Sequence, residues 1–217
     1  MAEADAAFDL GVTAPLSLRL LPGECIVIEA GDSAQLDAFA DLCSGLVPLR
    51  AGQVRCLDHD WTDLSHDYAA ALRGRIGRVF ESDIGLPFLD AETNILLPQL
   101  HHTNRGTSEL RIRAAALARE FGLPGLPVGP LVELAPLDAA RAMLVRALLG
   151  EPALLFLHDP IPPLRAAVLN RIATLLDGGS AVVWLAKTGS PRNSASYAAT
   201  QWLRLTEQGL TLARPAR

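Results

Sequence analysis

Three short runs in this chain are apolar at every position: Cys25 to Ile28, Ala153 to Leu157 and Ala181 to Leu185. Each is strand-sized and stands next to a segment with helical spacing. A strand that is apolar on both faces must be covered on both faces, and parallel sheets wrapped by helices supply that environment. The rest of the chain fits the same plan. Leu16 to Leu20 alternates as a strand before a Pro22-Gly23 turn. After Ala30-Gly31-Asp32-Ser33, apolar positions at Leu36, Phe39, Ala40, Leu42 and Cys43 predict a helix that stops at Gly45. Further strands are expected at Gln53 to Leu57 and Ile76 to Phe80.

Between these strands and the second apolar run the pattern becomes helical. Asp90 to Leu100 and Ser108 to Phe121 read as helices, the latter with Leu110, Ala114, Leu117 and Phe121 on one face. A rigid linker, Gly122 to Pro130, closes this block. Helices at Leu137 to Leu149 and Leu164 to Leu176, then strands at Gln201 to Leu205 and Leu210 to Leu212, complete the reading. The expected class is α/β, a mainly parallel sheet with helices on both faces and a helical insertion. At 217 residues the chain is the length of one such domain.

The formal net charge of −5 gives no general attraction for nucleic acid, and Arg73, Arg75 and Arg78 are read as a solvated basic face. No secretory pattern opens the sequence, and every apolar run falls short of the ~20 residues that span a bilayer. A cytoplasmic protein that reaches a membrane only through a partner is expected. Cys25, Cys43 and Cys56 lack metal-ligand spacing and are expected to be reduced and buried. His59, His66, His101, His102 and His158 show no paired-ligand spacing, so no metal is expected. No Gly-x-Ser-x-Gly elbow suggests a hydrolase.

Several segments in order carry a family resemblance. They are Pro22-Gly23-Glu24, Ser44-Gly45-Leu46, Ile76 to Phe80 with Leu86 to Pro98, and Ala140 to Pro160. Together they resemble the ATP-binding cassette family from Leu16 to about Leu212. The resemblance implies a P-loop NTPase-like fold in a single domain over 1–217, with its core in about 1–85 and 150–217 and a helical subdomain in about 86–149. It also implies a permease partner, received around Pro87, Phe88 and Leu89, and a dimer with itself or another cassette. Leu86 to Pro98 is most similar to cassettes of the lipid and lipoprotein trafficking type.

The residues that the family uses on ATP are replaced. A phosphate loop needs glycines whose N–H groups wrap the phosphates, a Lys for the outer phosphates and a hydroxyl for Mg²⁺. In register this chain has Ala30, Gly31, Asp32, Ser33, Ala34, Gln35, Leu36, Asp37 and Ala38. Leu36 takes the Lys position, Asp37 the hydroxyl position, and Gln35 a glycine position of unusual backbone shape. Like charges ~4 Å apart cost about 1 kcal/mol in water and about 4 at an effective dielectric near 20, so Asp32 and Asp37 are expected to repel a triphosphate. The Walker B acids read His158 and Asp159, the loop glutamine Glu81 and the switch histidine Lys187. A neutral imidazole is a poor ligand for Mg²⁺, and Asp159 is one bond shorter than the expected Glu. The signature reads Leu134-Ala135-Pro136-Leu137-Asp138, where Pro136 removes a donor and Leu137 a glycine. Arg165 replaces an acid after Walker B, and Phe8 is read as core rather than as an adenine-stacking ring.

Because each family site joins the Walker motifs of one subunit to the signature of the other, these losses leave both composite sites of a dimer incomplete. The leading expectation is a cytoplasmic pseudo-ATPase subunit, peripheral on the inner face of the membrane, with no cofactor. ATP and Mg²⁺ belong to it only if the family activity survives. An active ATPase using unconventional residues and a stand-alone scaffold are the alternatives.

Overall fold

The computed structural model describes residues 2–6, 15–81, 85–189 and 199–213. In chain order these form β1 (Ala2–Ala6), β2 (Leu16–Leu18), β3 (Cys25–Ala30), α1 (Ser33–Cys43), β4 (Leu49–Gly52), β5 (Arg55–Cys56), β6 (His59–Asp60), α2 (His66–Arg73) and β7 (Ile76–Val79). There follow α3 (Ala91–His102), α4 (Thr107–Glu120), α5 (Pro136–Leu148), β8 (Leu154–His158), α6 (Arg165–Asp177), β9 (Ala181–Lys187), β10 (Gln201–Thr206) and β11 (Gly209–Leu212).

Six strands make the main sheet, in the order β11-β10-β3-β9-β8-β7, parallel throughout except for the β10–β11 hairpin. The three fully apolar runs became its central strands β3, β9 and β8. Alternation along them divides the core in two. Cys25, Val27, Leu155, Leu157, Val182 and Trp184 pack with α3, α4, α5 and α6 on one face. Ile26, Ile28, Phe156, Val183 and Leu185 pack with Leu36, Phe39 and Ala40 of α1 on the other. Both faces are therefore covered by helices, as their composition requires.

Local chemistry sets the element ends. Pro136 opens α5 at its first position, where a missing N–H costs no helical bond. Asp90 caps α3 by accepting from Thr93 N at 2.6 Å. α1 ends at Cys43, and the chain turns away at Gly45, whose φ of +64° is left-handed and whose missing Cβ makes room for the Trp61 indole. Trp61 Nε1 donates to Cys43 O at 3.0 Å, and Arg73, stacked over Trp61, donates to Ser44 O and Gly45 O at 3.1 and 2.7 Å.

Several expectations change. The strand expected over Gln53 to Leu57 shrinks to the two residues of β5, because Leu57 and Asp58 take left-handed backbone (φ 47° and 66°) and turn into β6. β1 and β4 pair in a separate antiparallel sheet with β2, and α2 stands between the strands β6 and β7. The basic cluster is no solvated face. Arg73 clamps the end of α1, Arg78 is 13% exposed and ion-paired, and Arg75 alone is exposed. Phe8 lies outside the described residues. All three cysteines are free thiols, Cys25 and Cys56 buried and Cys43 half-buried. Burial pushes Cys25 and Cys43 up to about 12 and Cys56 to about 11.

Candidate functional site

In an open parallel sheet the ligand crevice lies beyond the carboxyl ends of the strands. Here those ends are Ala30 of β3, Lys187 of β9, His158 of β8 and the exit of β7 toward Glu81. At these strand ends the fold brings together Ser33, Asp37, Glu81, His158 and Lys187.

The connection from β3 to α1 is two residues long, Gly31 and Asp32. Asp32 is the helix cap, with extended backbone (φ −141°, ψ 167°), and its Oδ1 accepts from Gln35 N at 2.8 Å. A carboxylate of the chain thus sits at the positive end of the helix, where N–H groups attract anions. Gln35, expected to need an unusual backbone, lies in ordinary helix, because Ser33 and Ala34 are already its first turn. Leu36 is fully buried among Ile26, Ile28 and Phe39.

Asp37 faces the other way. Its Oδ1 accepts from Arg78 Nη2 at 3.1 Å and meets His158 Nε2 at 3.0 Å. An ionised carboxylate only accepts, so the imidazole carries its hydrogen on Nε2. His158 is 4% exposed, and desolvation lowers its pKa while Asp37 and Glu81 oppose that shift. Arg78 reaches further along α1 to pair with Asp41, and its guanidinium lies 4.2 Å above the Phe80 ring. The positions that would share Mg²⁺ through a hydroxyl and a carboxylate instead hold a carboxylate and an imidazole bonded directly. The expected repulsion by Asp37 is correspondingly reduced, because Arg78 already balances its charge.

A second cluster bridges the crevice. Glu81 pairs through Oε1 with Lys187 Nζ at 2.6 Å and accepts from Ser33 Oγ through Oε2. The hydrogen bond from Lys187 and then that from Ser33 hold the Glu81 carboxyl below its usual range. Asp159 accepts from Arg165 Nη2 at 3.0 Å and Trp184 Nε1 at 3.2 Å. Arg165 also donates from Nε to Pro160 O at 3.3 Å. Ser33, Arg78, Arg165 and Trp184 are the partners that make this a closed set.

The Leu134 to Asp138 stretch stands apart, at the start of α5. Ala135 is a helix cap with no side-chain hydrogen bond, and Asp138 is paired with Arg141 at 2.7 Å. Pro87, Phe88 and Leu89 form a turn held from beneath by Asn94, which is 1% exposed. Asn94 Oδ1 accepts from Leu86 N at 2.7 Å, and its Nδ2 lies within 3.1 Å of Leu86 O, Leu89 O and Asp90 O. On this platform Phe88 is 79% exposed.

The fold has known counterparts. Over its whole length the chain superposes on all of a bacterial ABC transporter cassette solved as a dimer, with a TM-score of 0.79 at 18% identity. By sequence it is 29% identical over 167 residues to the macrolide export ATP-binding/permease protein MacB of Syntrophobacter fumaroxidans, covering 76% of this chain and 23% of that protein. It is 27% identical over 161 residues to the lipoprotein-releasing system ATP-binding protein LolD of Coxiella burnetii, covering 74% and 69% respectively. The sequence relatives and the shared fold together support an ATP-binding cassette domain. The cassette matches only about a quarter of the length of the MacB relatives. No family model matches it.

Among the described residues, no helix of the cassette is long and apolar enough to cross a membrane. Nor do three His, Cys, Asp or Glu side chains there converge as metal ligands.

Proposed function

We propose that this cassette is a non-hydrolysing subunit of a membrane transporter, contributing structure and contact rather than ATP turnover. The observation that carries the reading is the two-residue link from β3 to α1, capped by Asp32 and followed by a buried Leu36. A triphosphate needs a wrapping loop and a free cation. Here the loop has become helix, the ammonium has become core hydrocarbon, and the nearby Lys187 already serves Glu81. These residues do not fit Mg²⁺-ATP. Asp159, the one candidate base, is bound to Arg165 and Trp184 in a structural role.

The partner is a transmembrane permease, seated on Pro87, Phe88 and Leu89. The cassette pairs with itself or with a second cassette and lies on the cytoplasmic face of the membrane, which it meets through that permease. It forms one domain, with residues of about 86–149 as the helical subdomain. Similarity to LolD, and the Leu86 to Pro98 segment, favour a lipid or lipoprotein substrate class.

Calorimetric titration with Mg²⁺-ATP on the chain alone tests the reading. No saturable binding heat is expected. The Leu36→Lys, Asp37→Ser double variant should stay silent too, because it restores side chains without restoring the loop. Saturable binding by the wild type, or ATP hydrolysis that Asp159→Ala abolishes, would refute the proposal.

A further inference from the structure

The exit of β7 is held by side chains. Its ladder with β8 ends at the Val79–Leu157 pair, and Glu81 stands two residues beyond. From there Glu81 reaches past the end of β8, which lies between β7 and β9 in the sheet, to Lys187 at the end of β9. Its other carboxylate oxygen takes the Ser33 hydroxyl at the start of α1. One carboxylate therefore joins the exit of β7, the end of β9 and the head of α1, near the His158–Asp37 pair.

Resting on the reading that the crevice takes no nucleotide, we propose that the Ser33–Glu81–Lys187 bridge is a ligand-independent latch. It fixes the exit of β7 to the end of β9, and so sets the start of the segment that carries Phe88 without any nucleotide. Opposite charges at the two strand ends supply from within the chain the cross-link that a bound anion and cation would otherwise make. Because Lys187 and Glu81 are both about half-exposed, at 49% and 40%, the latch is weak enough to open and sensitive to salt.

Hydrogen exchange read by mass spectrometry on the whole chain tests this, following peptides that cover 76–81 and 181–189. Glu81→Gln and Lys187→Met should each raise exchange there by roughly two- to fivefold, the range expected for a partly exposed ion pair. Exchange in 25–30 should stay unchanged. Raising the salt should loosen the wild type and leave Glu81→Gln unaffected. The charge swap Glu81→Lys with Lys187→Glu should regain protection, which a general loss of packing would not allow. Should a single variant fail to fold, Ser33→Ala removes one arm alone and should give a smaller rise. Unchanged exchange in both single variants, or no recovery in the swap, overturns the latch. Protection of residues 30–38 by Mg²⁺-ATP would instead overturn the nucleotide-free reading on which the latch rests, and the latch with it. A latch that fails while 30–38 ignores nucleotide leaves that reading standing.

Discussion

The crevice at the head of α1 and the turn around Phe88 both pair polar groups within the chain, yet to opposite ends. At the crevice, three carboxylates among the described residues are paired within the chain: Asp32 with its own helix, Asp37 with Arg78 and His158, Glu81 with Lys187 and Ser33. In the turn, Asn94 absorbs the backbone groups from below, which leaves an aromatic ring facing solvent with nothing polar to hide. The contrast teaches that internal satisfaction can either silence a surface or present one. What decides is whether the satisfied groups are side chains at the opening or backbone behind it.

The strongest way to break this comparison is to remove the platform. Asn94→Ala strands the Leu86 N–H and several carbonyls, and should cost about 2–3 kcal/mol in urea unfolding. A loss within the noise would show that the turn stands without it.

A middle-sized effect sharpens the crevice side. His158 has a lowered pKa in the fold, so below its ordinary value near 6.5 the unfolded chain binds more protons than the folded one. Stability should therefore fall as pH drops from about 6.5, by at most about 1.4 kcal/mol per pH unit. His158→Gln should flatten that part of the curve in melts between about pH 7 and 5. An identical slope in the variant would mean that His158 is not held neutral.

The smallest effect on stability is expected at the ring itself. Phe88→Ala should change unfolding by no more than about 0.5 kcal/mol, as exposed substitutions usually do, yet reduce co-purification with the proposed permease partner. Normal recovery of the complex would move the contact elsewhere.

How far the sequence disclosed all this depends on which physical signal each part sends. β3, β8 and β9 were readable because a strand buried on both faces leaves no polar position to confuse the pattern. The start of α1, expected after Ser33 and found at Ser33, carries a weaker signal, since the apolar period begins only at Leu36. The cap was nonetheless written in Asp32 followed by Gln35, an acid three residues before an amide-bearing side chain. Arg78 was misread because its neighbours Arg73 and Arg75 suggested a charged surface. Its partners Asp37 and Asp41, four apart on one helix, carried the contrary signal. Asn94, Arg165 and Trp184 act through tertiary contacts across 8, 6 and 25 residues, which spacing alone does not reveal.

Trp61 and Arg73 staple the tail of α1, just as Arg78 and His158 hold its head through Asp37. A rod fastened at both ends has no stroke. Were the whole domain to tilt, α1 would be carried along with the layers it is pinned to, as cargo rather than as a piston.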